Sequence, residues 1–474
     1  MKNQFSALAT SSLKSLFVGA LLLSTPLQAL PENSPQAQKA LEIYRNIIAI
    51  PTVEGRGKVP EMVNYLVGEL KAAGFADQAI HILPKHDSAA LVVRYAGDGS
   101  SGKAPILLLA HMDVVEALDK DWQRPPFELT EDDRFFYGRG TLDNKLGVTM
   151  LVSTFIRLKQ EGFVPHRDLV IVFSGDEETD MHTTKMLAND YAQLTQAEFA
   201  LNTDAGGGDL DSQGNALVYQ IQAAEKTYAS FELSVTNPGG HSSRPRADNA
   251  IYELMAALQN IQQYQFPVQD SKMIRDYLRL SGEKLGGELG AAMLAFADNP
   301  FDEKAAQRLA QEPSYVGMTR TTCVPTLLSG GHAENALPQS ASTTINCRIF
   351  PGTPVAEVKK TLEQQVNNPA VNFKVLGEPV ESPISELRED VLAAVSKAIH
   401  SRYPGVPLTG IMEAGATDGM YFRARGIPTF GIASAFMNPD DVYAHGLNER
   451  LPKATFYGGL DHWMIILKEL AGKQ

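Results

Sequence analysis

Apolar positions recur along the chain in two rhythms. Over residues 35–50, Leu41, Tyr44, Ile47 and Ile48 share one stripe of a 3.6-residue period, which predicts an amphipathic helix. Pro60–Ala73 repeats the pattern and stops at Gly74. Short apolar runs follow at Leu91–Tyr95, Ile106–Ala110, Leu169–Phe173 and Phe199–Leu201, with a helical stretch at Gly147–Gln160 among them. Strands alternating with helices predict an α/β unit whose mixed, largely parallel sheet is flanked by helices. The rhythm changes near residue 226. Tyr228–Val235, Asn249–Gln262, Thr321–Leu328, Ser342–Phe350, Val355–Val366 and Val371–Val375 read as β-α-β-β-α-β, the order of a ferredoxin-like α+β unit. Residues 263–318 interrupt it with helical patterns and no strand pattern, and read as a helical insertion within the smaller domain. After about residue 380 the α/β style returns, with helices at Val391–Arg402 and Ala454–Leu470 and a strand at Thr429–Ile432. The expected organisation is a large domain in two parts, 30–225 and 377–474, split by a smaller domain at 226–376.

The first residues follow another pattern. Lys2 and Lys14 precede an apolar run Leu16–Leu23, then Ser24-Thr25-Pro26 and the small residue Ala29, with no acid before Glu32. That is the charged, apolar and small-residue order of a secretory signal peptide, expected over residues 1–29. The run falls short of the ~20 apolar residues of a membrane span. The plainer alternative is a buried first helix. A leader implies a periplasmic or secreted protein, in a compartment that permits disulfides.

Composition narrows the chemistry. The chain has 474 residues, 44% of them hydrophobic and 20% charged, which excludes a disordered chain and a multi-spanning membrane protein. Its net charge of −13 offers no footprint for nucleic acid or an anionic membrane. Only two cysteines are present, too few for a thiolate zinc site, so any metal must be held by His and carboxylates.

Several polar motifs stand where the pattern places strand ends. Gly97–Lys103 mimics most of a phosphate-binding loop, but Ala104 stands where a hydroxyl is needed and a strand follows where a helix should. It reads as a polar turn. His111-Met112-Asp113 ends the run Ile106–Ala110, and ligands gather at the carboxyl ends of parallel strands. Alone it reads equally as a surface His. Gly138–Lys145 is a glycine-bearing loop opening onto a helix; Asp143 there is a candidate ligand or simply a helix cap. Asp176-Glu177-Glu178 follows Leu169–Phe173, and Asp204 follows Phe199–Leu201, each readable as a solvated turn. His445 lies in Ala444–Glu449 before the last helix, and His241 in Pro238–Ser243 of the smaller domain. Taken together, two His and several carboxylates without thiolate suit a hydrolytic zinc or manganese site. Five ligands exceed the need of one tetrahedral zinc and suit two metals that share a carboxylate.

With these motifs in order, the sequence resembles the di-zinc metallopeptidase family of glutamate carboxypeptidase, carnosinase, aminoacylase and acetylornithine deacetylase. The resemblance rests on His111-Met112-Asp113, Gly138–Lys145, Asp176-Glu177-Glu178, Asp204, Gly239–Ser243 and His445. Trp122 with Pro125–Phe127, Asn335–Pro338, Arg348 and Gly415–Gly419 add to it, so it spans nearly the whole chain beyond the leader. It implies that Asp143 bridges two Zn2+, with Co2+ or Mn2+ as substitutes. It implies His111 and Asp204 on one metal, Glu178 and His445 on the other, and Asp113 behind His111. It further implies Glu177 as general base and acid, and a cis peptide after Asp143. His241, Asn335 and Arg348 of the smaller, lid-like domain are implied to meet the substrate, His241 often across a homodimer formed through the lid. The insertion at 263–318 departs from the family pattern and bears on that dimer surface.

The expected activity is hydrolysis of an amide bond beside a free carboxylate in a small peptide, of dipeptidase or carboxypeptidase type. The alternatives are an aminoacylase-like specificity and a silent metal- or peptide-binding protein. A serine hydrolase would need a Gly-x-Ser-x-Gly turn, which the sequence lacks. Cys323 and Cys347 lie equally far from residue 335 on two adjacent predicted strands. They are expected to oppose one another, as a cross-strand disulfide or as two buried thiols.

Overall fold

The structure, a computed structural model, describes residues 30–473. The leader expected over residues 1–29 lies outside them. A ten-stranded mixed sheet forms the large domain. Its centre is parallel: Ile106–His111 lies between Leu169–Ser174 and Phe199–Asn202, and Thr429–Gly431 continues beyond Phe199–Asn202. All positions of Ile106–His111 and Leu169–Ser174 are buried, because helices cover both faces. A strand buried on both sides reads as an unbroken apolar run rather than an alternation. That is why these strands are legible in the sequence. Helices Pro35–Ile48, Lys145–Gln160 and Lys453–Ala471 pack together on one face, through residues such as Tyr44, Phe155 and Trp463. The glycine-rich run Gly97–Lys103 is a turn between two strands, as its sequence indicates.

Strands with more polar or glycine-bearing sequences escaped the pattern. Ala216–Glu225 pairs with Leu408–Glu413 in parallel and with Gly207–Leu210 antiparallel. Its Gln220 and Gln222 interrupt the apolar signal although Gln222 is buried. The buried amide is satisfied from within, donating to Glu225 Oε1 at 2.7 Å and accepting from Arg423.

The smaller domain has the expected α+β order. Strands Thr322–Gly330, Ser340–Ile349, Thr227–Thr236 and Asn372–Leu376 form one antiparallel sheet in that spatial order. Helices Ala250–Gln263 and Val355–Val366 cover one face of it, burying a separate core with Phe231, Leu233, Ile345 and Leu362.

The helical insertion is the main correction. The sequence reading assigns 263–318 to the smaller domain because strands of that domain flank it. Its helices Lys272–Leu285, Gly287–Asp298 and Glu303–Ala310 instead bury Ile274, Leu278, Met293, Phe296 and Leu309 in the core of the large domain. The first of them packs against Leu408–Glu413. Apolar periodicity predicts that a helix buries a stripe, but not which surface it meets.

Cys323 and Cys347 are register partners on neighbouring strands and form a disulfide across 24 residues of chain. Thiol titration of the denatured, unreduced protein is therefore expected to find no free thiol. Replacing both by Ser should cost about 3.5 kcal/mol, through the loop entropy restored to the unfolded chain. Two titratable thiols would refute the bridge.

Candidate metal centre

The parallel strands deliver their polar ends to one place. His111 terminates its strand opposite Ser174, and Asp176–Glu178 and Asp204 follow the two adjoining strands. Asp143 arrives from the glycine-bearing loop, one residue before the N-cap of helix Lys145–Gln160. It caps nothing. Its Oδ1 lies 2.8 Å from His111 Nε2 and its Oδ2 lies 3.0 Å from His445 Nε2. Asp204 Oδ1 stands 3.4 Å from His111 Nε2, and Glu178 Oε2 stands 2.9 Å from His445 Nε2. One carboxylate thus faces two histidines, each with a carboxylate of its own. Donor atoms of His111, Asp143 and Glu178 lie within 4.8 Å of one another, as do those of His111, Glu177 and Asp204.

The loop that presents Asp143 is held by its neighbours. The Asp143–Asn144 peptide is cis, as the resemblance implies. Asn144 Nδ2 donates to Asp204 Oδ1 at 2.7 Å, and its Oδ1 accepts from Thr203 Oγ1 at 2.8 Å. A Cβ on Gly147 would come within 2.1 Å of both Asn144 Oδ1 and Thr203 Oγ1, so only glycine admits this packing. Glu449, fully buried, accepts from Arg139 Nη1 at 2.6 Å and from the amides of Gly140, Leu142 and Asp143. This clamp on the Asp143 loop was not assigned from the sequence. Its signal was there, since Glu449 closes the motif that begins at Ala444.

Asp113 acts differently from the expected carboxylate behind His111. His111 Nδ1 lies 3.1 Å from the Asp113 carbonyl oxygen and 3.5 Å from its carboxylate. The Asp113 carboxylate mainly accepts the amides of Glu177 and Glu178, at 3.0 and 2.9 Å. It therefore fixes one histidine and the acidic turn at once. Asp418, another buried acid without an assigned role, accepts from the hydroxyls of Ser174 and Thr184. It stands in the Gly415–Gly419 motif.

Electrostatics tests whether these residues fit metals. Burial alone lowers a histidine, yet Asp204, Asp113 and Asp143 hold His111 well above its ordinary value. Hydrogen bonds to Asp143 and Glu178 push His445 up to about 10. Burial pushes Asp204 up to about 6 and Glu177 well above the usual carboxylate range; Asp418 and Glu178 add to the second shift. Burial opposes ionisation of Asp143 too, but hydrogen bonds from both histidines win and hold it low. Two imidazoles face a larger number of buried carboxylates, a charge imbalance that costs several kcal/mol per ion unless cations relieve it. Oxygen and imidazole donors with no thiolate suit hard or borderline divalent cations. The donor set fits a pair of them.

The lid residues are placed less closely. His241 and Asn335 are neighbours, because Gly240–His241 pairs with Ala336–Leu337 and Ser242 N donates to the Asn335 carbonyl. Their hydrogen bonds run within the lid. Arg348 reaches the large domain, donating from Nη1 to the Ala414 carbonyl at 2.9 Å. A cavity of about 320 Å³ opens beside Asp143 and Asp204, lined further by Gly206–Gly208, Gln220, Ile411 and Glu413.

Comparison with known proteins follows the same line. The sequence profile described as Peptidase family M20/M25/M40 matches residues 107–469. The chain is 29% identical to the human N-fatty-acyl-amino acid synthase/hydrolase PM20D1 over 357 residues, covering 73% of this chain and 70% of that protein. It is 26% identical to pig aminoacylase-1 over 439 residues, covering 91% and 95%. Among solved structures, the M20 family metallo-carboxypeptidase Sso-CP2 of Sulfolobus solfataricus superposes with a TM-score of 0.68 at 18% identity, over 91% of this chain and 98% of that one. Human carnosine dipeptidase 1 gives 0.61 at 16%, over 91% and 96%. The structural likenesses bear on the fold.

Proposed function

The chain belongs to peptidase family M20/M25/M40, and on that premise we propose that it is a di-metal hydrolase cleaving an amide bond beside a free carboxylate, in a dipeptide or an N-acyl amino acid. The observation that carries the reading is Asp143, whose two oxygens face His111 and His445 separately at 2.8 and 3.0 Å. His111 and Asp204 would hold one cation, His445 and Glu178 the other, and Asp143 both. Zn2+ is the proposed metal, with Co2+ or Mn2+ as substitutes. When bound, such ions supply Lewis acidity that polarises a carbonyl and acidifies water.

The chain's own residues do the rest. A Glu177 carboxylate oxygen takes a proton from the attacking water and later delivers it to the leaving nitrogen. Water and amide thereby become a carboxylic acid and an amine, which leave at neutral pH as carboxylate and ammonium. Burial, at 8% exposure, favours the protonated form of Glu177 and so suits the second step. Asp113 holds Glu177 in place through its amide. His241 would offer an N–H to the developing oxyanion. Arg348 would grip the substrate carboxylate with its planar fork, and Asn335 would complete the pocket.

The test is a metal-reconstituted activity screen over dipeptides and N-acyl amino acids, paired with their carboxamides. Wild type is expected to prefer the free carboxylates, and Arg348→Ala to lose most of that preference, roughly ten- to a hundredfold. Hydrolysis of neither class would sink the reading. Equal losses on acids and carboxamides would remove Arg348 from its role. The dipeptidase and aminoacylase-like forms of the proposal separate in the same screen.

We also propose a homodimer through the lid. The insertion packs on the large domain and so leaves the outer edge of the lid sheet open. Val324, Leu327 and Leu328 on that edge strand are 55%, 68% and 73% exposed, beside exposed Tyr252 and Met255 of helix Ala250–Gln263. A long apolar edge strand is a ready template for a second chain. Light scattering should give a dimer, converted to monomer by Leu327→Glu with Leu328→Glu. A monomeric wild type would refute it. The periplasmic or secreted location remains part of this proposal. The disulfide suits an oxidising compartment, and intact mass of protein from that compartment reads whether residues 1–29 are removed.

A further inference from the structure

The large domain and the insertion enclose a second cavity, of about 230 Å³. Tyr277, Pro313 and Met318 of the insertion wall one side, and Ile411 and Met412 of the large-domain strand the other. Gln220, Ile411 and Glu413 line this cavity and also the one beside Asp143 and Asp204, so the two adjoin. Lys226 lines it as well.

Lys226 is 2% exposed. Its Nζ donates to the Arg320 carbonyl at 2.9 Å and approaches Thr322 Oγ1 at 3.5 Å. Among the described residues it forms no ion pair. An ammonium has three donors, and a buried charge without a counter-ion is costly. Burial, and then the charge of Arg348, lower Lys226 to about 7. Arg348 is close for a reason of register. It pairs with Tyr228 on one side and Thr322 on the other, and residues opposed across strands share a face. Lys226 lies just before the strand Thr227–Thr236, and its Nζ approaches Thr322, the residue that opposes Arg348 on the other side. The guanidinium stacks 4.8 Å from the Tyr228 ring, and its Nη1 meets Ala414, another residue of the cavity wall.

We propose that Lys226 is a specificity-determining residue that receives a substrate carboxylate in the cavity walled by the helical insertion, with Arg348 held at the edge of that wall through Ala414. The inference rests on the amide-hydrolase reading above and names a residue that the reading does not contain. Glu413 shares the wall, but burial raises its carboxyl and it forms no ion pair with Lys226, so the substrate carboxylate supplies the counter-ion missing among the described residues. The apolar walls then take the side chain of the residue bearing it.

The experiment uses the metal-loaded full chain and two charge-removing variants, Lys226→Met and Lys226→Gln. The second keeps an N–H donor for Arg320 and Thr322, so it separates loss of charge from loss of structure. Kinetics are measured on an N-acetyl amino acid and on its carboxamide. Binding of the N-acetyl amino acid and of the free amino acid is measured by calorimetry. Both variants are expected to lower the acid-over-carboxamide preference roughly ten- to a hundredfold, through KM rather than kcat. They should weaken carboxylate binding by the same factor, and Lys226→Arg should restore most of it. An unchanged preference, or equal loss on acid and carboxamide in Lys226→Gln, overturns the proposal while leaving the hydrolase reading in place. If wild type turns over neither compound, the aminoacylase-like form of that reading fails, and binding that persists in Lys226→Gln overturns the Lys226 site as well.

Discussion

Glu177→Gln lowers kcat by roughly 10²- to 10⁴-fold, the range of a positioned general acid and base, while both metals stay bound. The amide side chain matches the carboxylate in size, and the Glu177 backbone amide still donates to Asp113. The turn that carries Glu178 is therefore left in place. What is lost is an oxygen able to take a proton from water and give it back. Metal content by elemental analysis and single-turnover kinetics check both halves of the expectation. Substantial residual activity at full metal content would exclude Glu177 as the proton carrier. Loss of metal along with activity would instead make Glu177 a ligand, a role its proximity to His111 and Asp204 allows.

The second large effect belongs to Glu449. Arg139 is 2% exposed and Glu449 is its buried partner, so Glu449→Ala leaves a guanidinium without a counter-charge. Breaking a buried pair from one side costs about 3–5 kcal/mol, and three loop amides lose their acceptor at once. In a chain of this size that corresponds to a fall in Tm of about 3–5 °C. The same loop carries Asp143, so metal affinity should fall with stability although Glu449 touches no metal. Glu449→Gln, which keeps acceptor oxygen but not charge, should fall between. Thermal unfolding and metal titration of the pair decide it. An alanine variant with the melting point and metal affinity of wild type would show that Glu449 clamps nothing.

These two residues mark how far the sequence was legible. Glu177 stands out as a candidate because it follows a strand buried on both faces, whose apolar run and abrupt acidic end are visible without a third dimension, whereas its role as base comes only with the resemblance. The same holds for His111 and Asp204. Glu449 sits in the Ala444–Glu449 motif, yet its role depends on a loop some 300 residues earlier in the chain. Asp113 lies two residues from His111 in the sequence, but its grip on the acidic turn depends on the parallel register of His111 with Ser174. The strand Ala216–Glu225 was missed because its buried glutamine is satisfied by Arg423 and Glu225, partners that local pattern cannot supply.

By itself, the sequence determined the alternation of strands and helices, the acidic and imidazole donors at strand ends, the shortage of thiolate, and the opposed cysteines. Each of these follows from periodicity or from chemistry carried by single residues and their near neighbours. Tertiary structure alone decided three further things. It turned the two oxygens of Asp143 toward different histidines. It packed the insertion on the large domain rather than the lid. It left Lys226 buried, with no counter-ion among the described residues, at the edge of the cleft. The physical reason is common to all three. An amphipathic helix or a charged side chain specifies that it must bury a face or find a partner, whereas which face and which partner are set by contacts between segments far apart in the chain.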